Sequence, residues 1–284
     1  MGNIKNIFLL FLLILVYSFS YCSDNINFAN YLFEKGEYYR AISEYHRSMF
    51  SNKLSKQDSN HCIVQITKCN YSGENYSESI SWNNSLENKS ILTEKTTICL
   101  NYYSGLSYLK LGYPNSAILC FSKNRNNEKS LLMCGISNLY LYDWKKSNII
   151  FERLTTSKDI NISNDAIKLS LLTTEATYLS NKNPILAGIL SAIIPGSGYA
   201  YAKHYQTAFS SFLLNSILIG TSYEFQRKGF KFAGGTTLLL SFGWYMGNIL
   251  GSYKSAIRYN NKIRQNYLNQ ELKMYENYYK KYGN

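Results

Sequence analysis

Between Asp24 and Phe50, Ala29, Leu32, Gly36, Tyr39, Ala41, Ile42 and Tyr45 fall at the three- and four-residue intervals of two short amphipathic helices that meet near Gly36. The pattern returns twice. Tyr102 to Phe121 and Met133 to Phe151 align at an offset of 30 residues, with Gly105 opposite Gly135, Leu109 opposite Leu139, Leu111 opposite Leu141 and Phe121 opposite Phe151. Ala117 and Ser147 supply a small residue at one position, Gly112 marks the turn of one unit, and Tyr142 stands at the corresponding turn of the other. The stretch 51–95 between the first two units is polar and weakly periodic. It reads as a long loop or a degraded repeat, with Cys62 to Ile66 as a short helical candidate.

From Asn183 the pattern changes. Phe232 to Ser252 is 21 residues without a charge, enough at about 1.5 Å per residue to cross the roughly 30 Å core of a bilayer. Thr207 to Tyr223 is a second uncharged stretch, at the short end of that range. The preceding apolar run Leu186 to Ile194 reaches only about 14 Å before Pro195, Gly196 and Gly198 interrupt it, which makes it a broken span or a half-span. Gly243, Gly247 and Gly251 recur at four-residue spacing, the arrangement that lets helix backbones approach closely in lipid, within the chain or between copies of it. Asn215 and Asn248 are candidates for hydrogen bonds between helices. Gly-Ser-Gly here is not a nucleotide loop: no strand precedes it, and the next acid is Glu224.

Two family resemblances attach to these residues. Pro195, Gly196, Gly198 and Tyr201 form PGxGxxY, followed in order by WYxGNxxGxxxxAxxYN from Trp244 to Asn260. This resembles the C-terminal membrane domain of a family of uncharacterised bacterial envelope proteins that carry tetratricopeptide repeats ahead of it. Ser197 and Tyr199 depart from that pattern. The helix pairs around Gly36, Ala41, Gly105, Gly112, Ala117 and Gly135 are similar to tetratricopeptide repeats, whose usual period is about 34 residues. The resemblance implies stacked helix pairs with a concave face that takes peptide segments, joined to a membrane domain. It implies no activity.

Residues 1–22 have Lys5, an apolar core Ile7 to Val16 and small or polar residues Ser18, Ser20 and Cys22, the layout of a secretory leader. Charge is uneven. Residues 23–181 hold 17 Lys and Arg against 15 Asp and Glu, whereas 182–284 hold 12 against 3, so most of the net +12 flanks the apolar segments. Such an excess sets topology and meets anionic headgroups, and argues against a nucleic-acid partner. Lys254, Arg258, Lys262 and Arg264 open a tail, 253–284, with the spacing of an amphipathic helix. With an exported N-terminal part, three crossings put five basic residues inside and four outside, two crossings with a half-span put three inside and six outside; the tendency for basic residues to stay inside favours three.

Catalytic chemistry finds little footing. The three histidines, His46, His61 and His204, have no nucleophile or metal ligand set at readable spacing. His61 with Cys62 and Cys69 is an incomplete zinc set, and Cys62 with Cys69 is the easiest local disulfide. Glu224 sits three and four residues before Arg227 and Lys228, the spacing of a helical ion pair. Asn70, Asn75, Asn83, Asn88 and Asn161 begin Asn-x-Ser sequons, which the bacterial resemblance makes coincidental.

The expectation is an all-α protein with four parts: a leader 1–22, a helical repeat domain 23–181 with a polar insert at 51–95, a membrane domain 182–252 of two to three hydrophobic segments, and the tail. Its expected role is a membrane-anchored scaffold or adaptor that binds an envelope protein through exported repeats. The alternative is a small oligomeric channel or a transport or insertion accessory built from the Gly-rich segments. Neither an enzyme nor a cofactor or metal site is expected.

Overall fold

The computed structural model describes residues 26–50, 54–86 and 90–272. The expected leader, and the tail beyond Leu272, lie outside them. The described residues are helical and contain no strand. In order they form α1 (26–34), α2 (Tyr38–Phe50), α3 (Lys56–Ser72), α4 (Tyr76–Ser85), α5 (Glu94–Lys110), α6 (Pro114–Ser122), α7 (Glu128–Tyr140), α8 (Trp144–Leu154), α9 (Ile160–Thr177), α10 (Pro184–Ile193), α11 (Ser197–Tyr201), α12 (Tyr205–Arg227) and α13 (Lys231–Leu272). They divide into two compact units at Thr174/Glu175, within α9 and a few residues before the boundary the sequence pattern marks.

The N-terminal unit is a run of helix pairs. Ser55, Thr93 and Asn127 each accept a hydrogen bond from a first-turn backbone N–H of α3, α5 and α7. Each pair then turns through one left-handed residue: Gly36, Glu74, Gly112 and Tyr142 have φ of 77°, 63°, 80° and 59°. At every one of these turns the next N–H reaches back five residues to a carbonyl, as in Glu37 to Leu32, Asn75 to Asn70, Tyr113 to Tyr108 and Asp143 to Asn138. The recurrence includes Glu74, inside the stretch read as a long loop or a degraded repeat. Residues 51–95 in fact carry α3 and α4, a helix pair like its neighbours, so the degraded repeat is what forms.

Its polarity hid it because several of its polar side chains are buried and satisfied. Thr67 Oγ1 donates to Asn83 Oδ1 at 2.8 Å, and Asn83 Nδ2 donates across to the Leu100 carbonyl at 3.1 Å and to Ser104 Oγ at 2.8 Å. Asn60 bridges the Ile91 carbonyl and the Thr93 N–H. Asparagines that look like an excess of polar residues are thus cross-links to neighbouring helices and loops, their amides paired with backbone and hydroxyl groups there. Asn124 repeats the device, donating to the Ile98 carbonyl at 2.8 Å and to Ser130 Oγ at 3.1 Å.

The 30-residue offset appears as packing. Phe121 and Phe151 are fully buried, and each ring lies where a side chain on Gly105 or Gly135 would have to go. The small residues at 117 and 147 are fully buried as well, and Ser147 Oγ donates to the Gly135 carbonyl. Along the stack α3 packs on α5 and α5 on α7, so each pair covers the apolar face of the next.

The expected Cys62–Cys69 bridge does not form. Both thiols are buried on α3, where seven residues of helix separate their backbones by about 10 Å, beyond the reach of a disulfide. Burial pushes the Cys69 thiol up to about 12. His61 also faces a structural partner: its Nε2 lies 3.0 Å from Asn30 Oδ1, which accepts the Tyr45 hydroxyl at 2.6 Å, and the Tyr45 ring meets the imidazole edge-on.

Burial lowers the His61 pKa below its ordinary 6.5. Below about pH 6.5 the unfolded chain therefore binds more protons at this position than the folded one, and stability falls as pH falls through that window. Thermal unfolding of the N-terminal unit should shift to lower temperature between about pH 7 and pH 5.5, with a shallower slope in His61→Gln. Equal slopes would assign the effect to other groups.

Candidate functional site

In the C-terminal unit the usual distribution of side chains is inverted. Apart from Leu268, the buried positions among this unit's described residues are small or polar, among them Ala187, Gly188, Ser191, Ala202, Asn215, Ser222, Ser241, Asn248, Ser252, Ser255, Ala256 and Asn260. The large apolar side chains point outward, including Ile193 at 71 %, Phe209 at 68 %, Phe232 at 87 % and Leu239 at 74 % exposure. A helix bundle stabilised by water exclusion would bury these, at roughly 25 cal/mol for each Å².

What joins these helices is close approach and hydrogen bonding to carbonyls. Asn260 on α13 takes the Lys182 N–H at 2.7 Å and gives its amide to the Lys182 carbonyl at 2.8 Å. Ser252 Oγ donates to the Ala187 carbonyl at 3.1 Å, Asn248 Nδ2 to that of Ser191 at 3.5 Å, and the Tyr245 hydroxyl to that of Ala192 at 2.7 Å. These contacts run in opposite chain order on the two helices, so α10 lies antiparallel to α13. Ser222 Oγ donates to the Gly234 carbonyl beside the turn between α12 and α13. Serine and asparagine at such positions hold helices together without needing water to drive them.

The motif glycines separate into two kinds. After α10, the chain turns at Pro195 and Gly196, the latter at φ 89°, with a hypothetical Cβ overlapping the Ala208 carbonyl. Gly198 then passes so close to α10 that a Cβ would overlap the Ala187 carbonyl oxygen, and its N–H donates to Ser191 Oγ at 3.0 Å. The Tyr201 hydroxyl accepts the Asn183 N–H at 3.1 Å, and Lys182 Nζ lies 4.6 Å from the Tyr201 ring centre. The PGSG segment therefore doubles back: Lys182 beside Asn260 and Lys203 beside Tyr259 lie at the same level along α13.

On α13, Gly251 is filled by the Tyr199 hydroxyl, whereas nothing lies within 4 Å of where a Cβ on Gly243 or Gly247 would sit. The close packing expected of all three glycines is present at Gly251 alone within this chain. Gly243 and Gly247 border a cavity of about 490 Å³ with Tyr199, Thr207, Ser211, Trp244 and Asn248. The Oδ1 atoms of Asn248 and Asn215 are buried without a hydrogen-bond partner. Asn215 gives its amide to the Ser211 carbonyl of its own helix at 2.7 Å, not to a neighbouring helix.

Charged side chains gather at the two ends of α12. At its C-terminal end Glu224 is bridged by Arg227 at 2.9 Å and Lys228 at 3.3 Å, as the spacing predicts. At its N-terminal end Lys203, His204, Arg258 and Lys262 line a second cavity, of about 400 Å³. His46 belongs to the N-terminal unit, its ring edge-on to Trp82. Among the described residues no three His, Cys, Asp or Glu side chains gather as a metal would need.

The stretches expected to cross a membrane lie within α12 and α13, and α13 continues without a break from 231 into the expected tail, to Leu272. By mean hydropathy, no helix among the described residues is long and apolar enough to cross a membrane. Interleaved Ser, Thr, Asn and Gly, the buried Asn215, Ser222, Ser241 and Asn248 among them, lower the average. No protein-family model matches the chain, and no curated protein matches it.

Proposed function

We propose that the protein is a membrane-anchored helical adaptor, in which the C-terminal unit is embedded in lipid and the helix pairs of the N-terminal unit are presented to a protein partner of the bacterial envelope. The inverted burial carries this reading. Exposed Phe, Leu and Ile around a seam of Ser, Asn, Ala and Gly is an arrangement that hydrocarbon solvates better than water does. The length agrees: 22 steps from Tyr205 to Arg227 span about 33 Å, so the two charged ends of α12 stand one bilayer core apart. Hydropathy averaged over a helix underrates such a segment, because it counts seam residues that meet other helices and not lipid.

In this arrangement α12 and α13 cross and α10–α11 enters and returns on one side. Six basic residues, Lys182, Lys203, Lys254, Arg258, Lys262 and Arg264, share the side from which the N-terminal unit enters, and three, Arg227, Lys228 and Lys231, lie opposite. The count favours a cytoplasmic N-terminal unit, whereas the leader-like residues 1–22 favour export; the first hydrophobic segment usually dominates orientation, so we assign the N-terminal unit to the outer face.

Single cysteines at Lys228 and Asn261, in a chain with all six native cysteines replaced by serine or alanine, test this with an impermeant thiol reagent on intact spheroplasts. The expected result is labelling at 261 and protection at 228 until permeabilisation. The reverse pattern puts the adaptor on the cytoplasmic side, and labelling at both sites discards the membrane crossing.

A second reading, a small channel or transport accessory, is favoured by the cavity at Gly243 and Gly247 with the unpartnered Asn248 oxygen. Ion flux through liposomes reconstituted with the full chain supports it, and tight liposomes that contain folded protein remove it.

A further inference from the structure

The second cavity of the C-terminal unit has a composition of its own. Lys203, His204, Arg258, Tyr259, Lys262 and Asn266 are among its lining, with no acidic side chain in it. Two carboxylates of this unit are engaged elsewhere: Glu224 by Arg227 and Lys228, and Glu175 by the Tyr267 hydroxyl at 3.5 Å. Among the described residues, three permanent positive charges thus share one recess with no carboxylate in its lining.

The backbone adds to this field. α12 begins at Tyr205, directly after His204 of the recess lining, so the positive end of a 23-residue helix lies close to it. The lysine is also held in an unusual way. Its turn needs a left-handed residue, a position filled by glycine at Gly36, Gly112 and Gly229 and by other side chains at Glu74 and Tyr142; here Lys203 adopts it, with φ of 61°. The turn directs Lys203 Nζ over the Tyr259 ring, 5.7 Å from its centre, into register with Arg258 and Lys262 one turn apart on α13.

The geometry points to a binding site for a phosphate group, formed by Lys203, Arg258 and Lys262 with the α12 N-terminus. Arginine supplies a planar fork for two phosphate oxygens and the lysines supply point charges. The phosphate can come from the headgroup of an anionic lipid or from a soluble phosphoester. The lipid source rests on the proposed membrane anchoring, since the recess lies where the exposed apolar belt of α12 begins; the phosphate chemistry does not.

The test uses the purified full chain and the triple variant Lys203→Asn, Arg258→Gln, Lys262→Gln, asparagine being tolerated at left-handed φ. Arg227→Gln with Lys228→Gln and Lys231→Gln removes the same charge at the opposite end. Flotation compares vesicles of phosphatidylcholine with vesicles that also contain phosphatidylglycerol, and phosphorus NMR line broadening reports inorganic phosphate binding directly. The expected result is tighter association with the anionic vesicles, weakened about tenfold or more in the recess variant and much less in the opposite-end variant, with association to neutral vesicles the same for all three.

Broadening of inorganic phosphate that the recess variant abolishes, without any preference for anionic vesicles, supports the phosphate site and replaces the lipid source with a soluble one. Failure of the wild type to float with either vesicle, with that broadening retained, overturns the membrane anchoring and leaves the site standing. Equal losses in the two variants, or neither broadening nor anionic preference in the wild type, overturn the site.

Discussion

Gly198→Ala is expected to disrupt the doubled-back α10–α11 element, and Gly196→Val to do so at least as severely. The added carbon at 198 overlaps a backbone carbonyl, that of Ala187, which cannot swing aside as a side chain would. At 196 the φ of 89° adds conformational strain to a clash with the Ala208 carbonyl. Overpacking of this kind typically costs about 1–3 kcal/mol, and here it also removes the Gly198 N–H to Ser191 hydrogen bond. Gly243→Ala and Gly247→Ala meet open space and should change stability little. Thermal stability of the four variants in detergent is the check. Sensitivity at 243 and 247 equal to that at 198 would mean that another copy of the chain, or another molecule, fills the groove those two glycines border.

Phe151→Ala should be among the most damaging single substitutions in the N-terminal unit, with a loss of about 3–5 kcal/mol. The ring is fully buried and occupies the place left by Gly135, so its removal leaves a cavity that the glycine opposite cannot fill. Phe121→Ala should behave alike, because the same pairing with Gly105 recurs 30 residues earlier. The pairing is open to a double-mutant cycle. Gly135→Ala alone forces its Cβ into the Phe151 ring; combined with Phe151→Leu, whose smaller side chain has room to withdraw, the two costs should add to less than their sum. Additive losses in chemical denaturation would separate the two residues and remove the physical meaning of the 30-residue offset.

The proposed division of labour links these predictions. Damage to the N-terminal pairs should abolish partner capture and leave membrane association intact, whereas damage at Gly198 should act on the anchored unit. The buried cysteines offer no competing account in terms of a structural disulfide, since Cys62 and Cys69 stand two helical turns apart.

Sequence alone determined what depends on neighbours three to five residues away. Helical period, the turn at Gly36, the offset that pairs Gly105 with Gly135 and Phe121 with Phe151, the Glu224 ion pair and the helix break at Pro195 all follow from local geometry. The stretch 51–95 stayed open between a loop and a degraded repeat because Asn60, Thr67 and Asn83 count as polar until their partners are known. Tertiary structure alone decided the rest. Whether the chain continued past Gly196 or turned back depended on Ala187, Ser191 and Asn260 meeting segments up to 78 residues distant. The convergence of Lys203 with Arg258 and Lys262, and the choice of Gly251 over Gly243 for close packing, arise from the same return. Even the inversion of burial, apolar outside and small or polar inside, is a property of how helices face one another, which a hydrophobic pattern along one helix does not contain.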